Sequence, residues 1–190
     1  MSYSNIIEYT MIPKDSFSIV RKCCGCGEKA HYISTNKFRV NANGNKVDVW
    51  LIYQCEKCKH TYNMTIYERK NPASIPEKEY QLFLENDEVL ATEYGKNYSF
   101  FKRNRAEVDF SRVEVEYRKT PDEKLNQMEE KRFVIQNPFS LKIRSEKQIA
   151  DILQISASKV KRMIEQELIQ TEQISPQFIS IKVNRIEAKN

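Results

Sequence analysis

The sequence predicts an α+β protein, and three observations lead there. Two C-x-x-C pairs bracket a stretch of alternating apolar and polar residues broken at Asn43-Gly44, the pattern of an antiparallel hairpin. Helix-spaced apolar residues follow between Pro76 and Phe101. Two short amphipathic segments within residues 145–168 are joined by a tight turn, and one more alternating run, Phe178–Val183, comes after them. The expected organisation is a sheet-forming part over residues 1–70, a small helical middle over 71–132 that ends in a linker, and a helix pair with a short strand over 133–190.

Composition narrows the function classes. The chain has 190 residues, 40% apolar and 30% charged, with a net charge of +5. That is enough for one or two small cores. No run approaches the 18 or more apolar residues of a transmembrane helix. Met1-Ser2-Tyr3-Ser4-Asn5 lacks the basic stretch and apolar core of a secretory signal, so a cytoplasmic protein without a membrane partner is expected. No Gly-rich phosphate loop, Walker loop or nucleophile elbow occurs. Neither histidine stands beside a nucleophile motif, which leaves acid–base catalysis little to stand on. Basic residues outnumber acidic ones in 21–70 and 142–190, and the reverse holds between. Basic ends point to a polyanionic partner; ordinary surface variation is the alternative.

The cysteines carry the sharpest signal. Cys23 and Cys26 form one C-x-x-C pair, and Cys55 and Cys58 form the other. Two residues between thiolates let a tight turn aim both sulfurs at one ion, and four thiolates suit a structural zinc ion, Zn2+, with no position left for water. Gly25 and Gly27 give the first knuckle conformational freedom. Cys24 is too close to Cys23 to join the pair and is expected to be free, or at most an alternate ligand. His31 and His60 are expected as surface or supporting groups. Two disulfides or plain reduced thiols are the alternatives, the disulfides disfavoured without an export signal.

Between the pairs, Lys37–Asn41 and Val47–Tyr53 read as two strands around Asn43-Gly44, and Tyr62–Tyr67 as a third. The second strand carries large apolar groups on both faces, so it is expected inside the sheet. Knuckle, hairpin, knuckle, strand resembles a zinc ribbon. Arg39 and Asn41 fall on one face and could read a base or a phosphate; the alternative is that the asparagines build the turn and Arg39 pairs with Asp48.

The stretch Lys37-Phe38-Arg39-Val40-Asn41-Ala42-Asn43-Gly44, then Asp48-Val49-Trp50-Leu51-Ile52-Tyr53, then the second cysteine pair, resembles a bacterial family called domain of unknown function 1062. The resemblance is dense from about Cys23 to Pro72 and looser beyond. It implies a bacterial cytosolic zinc-ribbon-like protein and no particular activity.

In the middle, Pro76 fits the start of a helix reaching Asn86, with Tyr80, Phe83 and Leu84 on one side. Asp87 fits the cap of a second helix that runs through Tyr94 and stops at Gly95. Tyr98, Phe100 and Phe101 before Lys102, Arg103 and Arg105 read as a third helix, or as a stacking surface for nucleic acid. Val108–Phe110 and Val113–Tyr117 alternate as strands, and residues 119–132 make the best linker.

Toward the carboxy terminus, Ser145 is expected to cap a helix Glu146–Leu153 and Ser156 a helix Ala157–Leu168, with Ala157, Val160, Ile164 and Leu168 as its buried stripe. Ser158, Lys159 and Arg162 take the opposite face. This segment resembles the alpha-L RNA-binding domain through Ile143-Arg144, Lys147, Ile149-Ala150, Ile155-Ser156-Ala157-Ser158-Lys159, Ile164 and Ile169. The resemblance implies RNA-backbone contacts by Arg144, Lys147, Ser158, Lys159 and Arg162. Glu167 departs from it, because the family usually has glycine there. The same residues also look like a helix-turn-helix with Phe178–Val183 as a wing strand; Asn137-Pro138-Phe139 blocks the usual preceding helix. The expected function is therefore a non-enzymatic, zinc-stabilised RNA-binding protein. A DNA-binding transcriptional regulator and a protein–protein adaptor built on the zinc module are the alternatives.

Overall fold

A computed structural model describes residues 6–120, 131–175 and 177–183. In chain order the elements are strands β1 (Ile6–Pro13), β2 (Ile19–Lys22), β3 (Lys29–Asn43), β4 (Lys46–Cys55) and β5 (Thr61–Lys70); helices α1 (Glu77–Glu85), α2 (Glu88–Lys96) and α3 (Tyr98–Arg103); strands β6 (Glu107–Val108), β7 (Val115–Lys119) and β8 (Lys131–Gln136); helices α4 (Ser145–Leu153) and α5 (Ala157–Glu165); and strands β9 (Ile169–Ser175) and β10 (Phe178–Val183). The α+β class stands.

The chain forms two compact units, Pro13–Glu114 and Met1–Ile12 with Val115–Asn190. This differs from the expected division at 70 and 132. The physical reason is strand pairing: β1 runs parallel to β8, with Ile6 opposite Arg132 and Thr10 opposite Gln136, so the start of the chain is stitched to its carboxy-terminal part. The expected linker 119–132 falls largely on residues outside the described ones.

The Pro13–Glu114 unit is one antiparallel sheet, order β5-β4-β3-β2-β6, with three helices. The expected hairpin is β3–β4, where Asn43 pairs with Lys46 across a turn that puts Gly44 at φ 60°. β4 lies inside the sheet between β3 and β5, as its two apolar faces predict. Its residues Val47, Val49, Leu51, Tyr53 and Cys55 are each 0% exposed. Phe38 meets Phe83 edge-on at 4.8 Å and Tyr53 meets Phe101 at 6.2 Å, so helix aromatics cover this face. The middle helices form as the pattern predicts, and Asp87 caps α2 by accepting the Leu90 N–H at 2.7 Å.

Two details differ. Gly95 does not stop α2; it lies within it, because the turn before β2 rests on it. A Cβ there would collide with the Ser16 side chain, and the Gly95 carbonyl accepts the Phe17 N–H at 2.8 Å. The expected strand over Val108–Phe110 is only two residues long and passes into a 3₁₀ turn, Phe110–Arg112, capped by Asp109.

The other unit is a five-stranded sheet of order β7-β1-β8-β10-β9, with β10 antiparallel to both β8 and β9. Its buried residues include Phe133, Ile135, Ile149, Val160, Met163, Ile169 and Ile181. Ser145 is the first residue of α4 rather than its cap; Arg144 holds the cap position and makes no side-chain capping bond. Ser156 caps α5 as expected, accepting the Lys159 N–H at 3.2 Å. α5 ends at Glu165, three residues early. Its stripe is Val160 and Met163, with Ile164 and Leu168 half-buried and Ala157 exposed. The early stop is a left-handed turn: Glu167 adopts φ 58°, and Leu168 N–H reaches back to the Met163 carbonyl at 2.9 Å.

Candidate metal centre

The two C-x-x-C segments fold into the same turn twice. Gly27 N–H donates to the Cys23 carbonyl at 2.8 Å, and Lys59 N–H donates to the Cys55 carbonyl at 3.0 Å. Cys23 N–H donates to the Glu28 carbonyl and Cys55 N–H to the His60 carbonyl, at 2.8 and 2.9 Å. Gly27 and Lys59, each four residues after the first cysteine of its pair, take φ of 76° and 63°. Glycine adopts this conformation freely; lysine adopts it at a cost of about 1–2 kcal/mol. The first turn closes the gap between β2 and β3 and the second that between β4 and β5, so the sheet carries both to one end.

This brings together the sulfurs of Cys23, Cys26, Cys55 and Cys58, which all lie within 4.8 Å of one another and could hold a metal ion. Cys23 and Cys58 sulfurs are 3.5 Å apart, and those of Cys26 and Cys55 3.8 Å. Among the described residues this is the cluster of metal-ligating type. Gly25 leaves room for it: a Cβ there would sit 2.8 Å from Cys58 Sγ. Cys24 is exposed and outside the cluster, as expected.

The thiols do not share one acidity. Tyr32, whose hydroxyl hydrogen-bonds the Cys23 sulfur, draws that thiol's pKa down to about 6, while the hydrogen bond with Cys58, followed by desolvation, pushes Cys26 up to about 12. Four sulfurs this close repel one another as thiolates, so they cannot all ionise unless a cation sits among them.

Supporting contacts come from residues with no motif in the sequence. Tyr32 faces Cys55 across β3–β4. The Arg21 guanidinium lies 3.4 Å over the Tyr62 ring. Glu56, between the second pair's cysteines, is gripped by both Arg112 nitrogens at 2.8 and 2.9 Å, which holds its carboxyl below the usual range. His31 is engaged with Asp109, Nε2 to Oδ2 at 2.9 Å, and takes no place in the cluster. Lys57 and Glu28 join the knuckles at 2.6 Å, an exposed pair of small energetic weight. Alternation along β3 could have marked Tyr32 as inward-facing. Nothing local marks Asp109 or Arg112, which arrive from far along the chain.

The residues named for nucleic-acid contact lie in the other unit. Arg144, Lys147, Ser158, Lys159 and Arg162 are all exposed, and none of these four cations is in an ion pair among the described residues. Among the described residues no helix is long and apolar enough to cross a membrane.

No curated protein and no solved structure matches the chain. A family model does, over residues 40–174, which takes in the second cysteine pair and the α4–α5 helices but begins after the first pair. That span exceeds half of the chain, and it reaches well past Pro72, where the sequence resemblance was expected to thin. The chain belongs to the family described as Protein of unknown function (DUF1062).

Proposed function

We propose that this is a non-enzymatic, zinc-stabilised RNA-binding protein of the bacterial cytoplasm. For the metal, the supporting observation is the sulfur spacing. A tetrahedral zinc with Zn–S of about 2.3 Å has S–S edges of about 3.8 Å, against 3.5 and 3.8 Å for the two close pairs. Four thiolates close the coordination shell, so the ion would be structural and would lock the two knuckles, and with them four strands, into one end of the sheet.

For RNA, the reading is carried by the uncompensated cations of Arg144, Lys147, Lys159 and Arg162 beside exposed Ser158 on a compact helix pair. The left-handed Glu167 also favours it. Its φ of 58° is the conformation that glycine takes freely, at the position where the alpha-L domain usually has glycine. One observation favours duplex DNA instead: β9 and β10 form an antiparallel pair directly after α5, as a wing would.

The test measures binding of a structured RNA and of a random-sequence DNA duplex at one stated salt concentration, then across a salt series. The RNA reading expects tighter RNA binding whose log–log salt slope shrinks by about 1.4 to 1.8 in the Lys159→Gln/Arg162→Gln double variant. Sequence-selective duplex binding would select the DNA reading. No binding to either, with the fold intact, would overturn both and leave the protein-adaptor reading.

A further inference from the structure

The sheet of the Pro13–Glu114 unit has a second face. Phe38, Leu51, Tyr53 and Met64 point to the helix side, where Phe83 and Phe101 pack. Residues of the opposite parity take the other side. Register aligns Arg39 with Trp50 and Trp50 with Thr65 in one row, and Ile52 with Asn63 in the next. Trp50 is half-buried and Arg39 is exposed.

Asp48, the partner that the sequence suggested for Arg39, stands on the same face; its Oδ1 accepts the Arg69 N–H at 2.7 Å, and it makes no ion pair with Arg39. Among the described residues neither Arg39 nor the exposed Lys37 is in an ion pair. A flat aromatic between β-strands, beside a free guanidinium and with small polar Thr65 as its other neighbour, offers two things together: a stacking platform and a fixed positive charge. Single-stranded nucleic acid is the polymer that presents an aromatic ring and a phosphate at every repeat.

We propose that this face is a second contact for nucleic acid, taking a single strand with one base stacked on Trp50 and an adjacent phosphate on Arg39. The proposal rests on the RNA-binding reading above but concerns different residues in a different unit. It makes the protein a reader of single strands as well as a backbone binder.

Trp50 is the sole tryptophan of the chain, so its emission reports this face alone. The full chain is titrated with an oligouridine labelled for anisotropy, while Trp50 is excited selectively. The expected result is quenching of Trp50 that tracks the anisotropy. Trp50→Ala should weaken binding about 5- to 150-fold, the range for loss of one stacked base. Arg39→Gln, an exposed change that leaves the sheet intact, should cut the salt slope by about 0.7. Polyglutamate should leave the emission unchanged, and an equal response to it would overturn stacking. Oligouridine binding with constant Trp50 emission and an unchanged slope in Arg39→Gln would overturn the proposal while leaving RNA binding through α4–α5 intact. Absence of any binding would overturn both.

Discussion

At the knuckles, four sulfurs from two turns converge on one point, with the close pairs 3.5 and 3.8 Å apart. Around α4 and α5, four cations and a serine are exposed, while Val160 and Met163 form the buried stripe of α5. Both regions rest on comparable short turns with left-handed residues, Gly27 and Lys59 in one, Gln154 and Glu167 in the other. The difference is in what the side chains specify. A convergent set of soft donors fixes ligand type, number and geometry together. Dispersed cations fix only the sign of a partner's charge, and the energy of each depends on salt. The first region is thus a set that could hold a metal ion, and the second is left to be decided by binding.

The largest expected effect breaks this comparison at the metal. Cys55→Ser, or treatment with a strong chelator, should lower the thermal midpoint of the protein far more than any substitution on the α4–α5 surface. Apparent binding energies for such sites are roughly 10–16 kcal/mol and appear as folding energy. Changing Lys159 and Arg162 to glutamine should move stability by no more than about 0.5 kcal/mol. Similar melting shifts for the two changes would mean that the cluster does not hold the sheet together.

Next in size are the two glycines that admit close neighbours. Gly95→Ala forces a Cβ against Ser16 and should cost about 1–3 kcal/mol in denaturant unfolding. Gly25→Ala pushes on Cys58 Sγ instead, so its main effect should be faster loss of metal to a chelator. An unchanged transfer rate would show that the first knuckle yields easily.

A smaller effect compares the turns themselves. Lys59→Gly and Glu167→Gly each relieve a left-handed residue, at φ 63° and 58°. Each should stabilise the fold by about 1 kcal/mol, less the entropy glycine adds to the unfolded chain. Destabilisation by Glu167→Gly alone would mean that the glutamate side chain contributes to the carboxy-terminal unit.

The smallest concerns acid. Asp109 is held below the usual carboxylate range, foremost by the Ser111 hydroxyl and then by His31. Because its folded pKa is depressed, its contribution is present above the unfolded value and fades as pH falls through the folded one. Asp109→Asn should therefore lose less stability than the wild type on acidification through that window. Parallel melting-against-pH curves would remove Asp109 from the account.

The sequence made the knuckles, the β3–β4 hairpin and the Asp87 and Ser156 caps legible, because each is set by residues within a few positions of one another. What it hid depends on distant pairing. Nothing in Ile6–Pro13 announces that it will join Lys131–Gln136 rather than the adjacent strands, and that one parallel pairing redraws the units. Gly95 reads locally as a helix stop, yet Ser16, far away in sequence, uses it as a surface to pack on. That Cys23, Cys26, Cys55 and Cys58 come together was readable from spacing alone. The supporting shell of the cluster was not: Asp109 on His31 and Arg112 on Glu56 are brought in by the β2–β6 edge and the 3₁₀ turn after it.

One structural zinc on Cys23, Cys26, Cys55 and Cys58 can be weighed by elemental analysis of the purified native protein beside Cys55→Ser and Cys24→Ser. About one zinc per chain is expected in the native protein and in Cys24→Ser, and loss of the ion in Cys55→Ser. Full zinc retention in Cys55→Ser, or loss of zinc in Cys24→Ser, would contradict it.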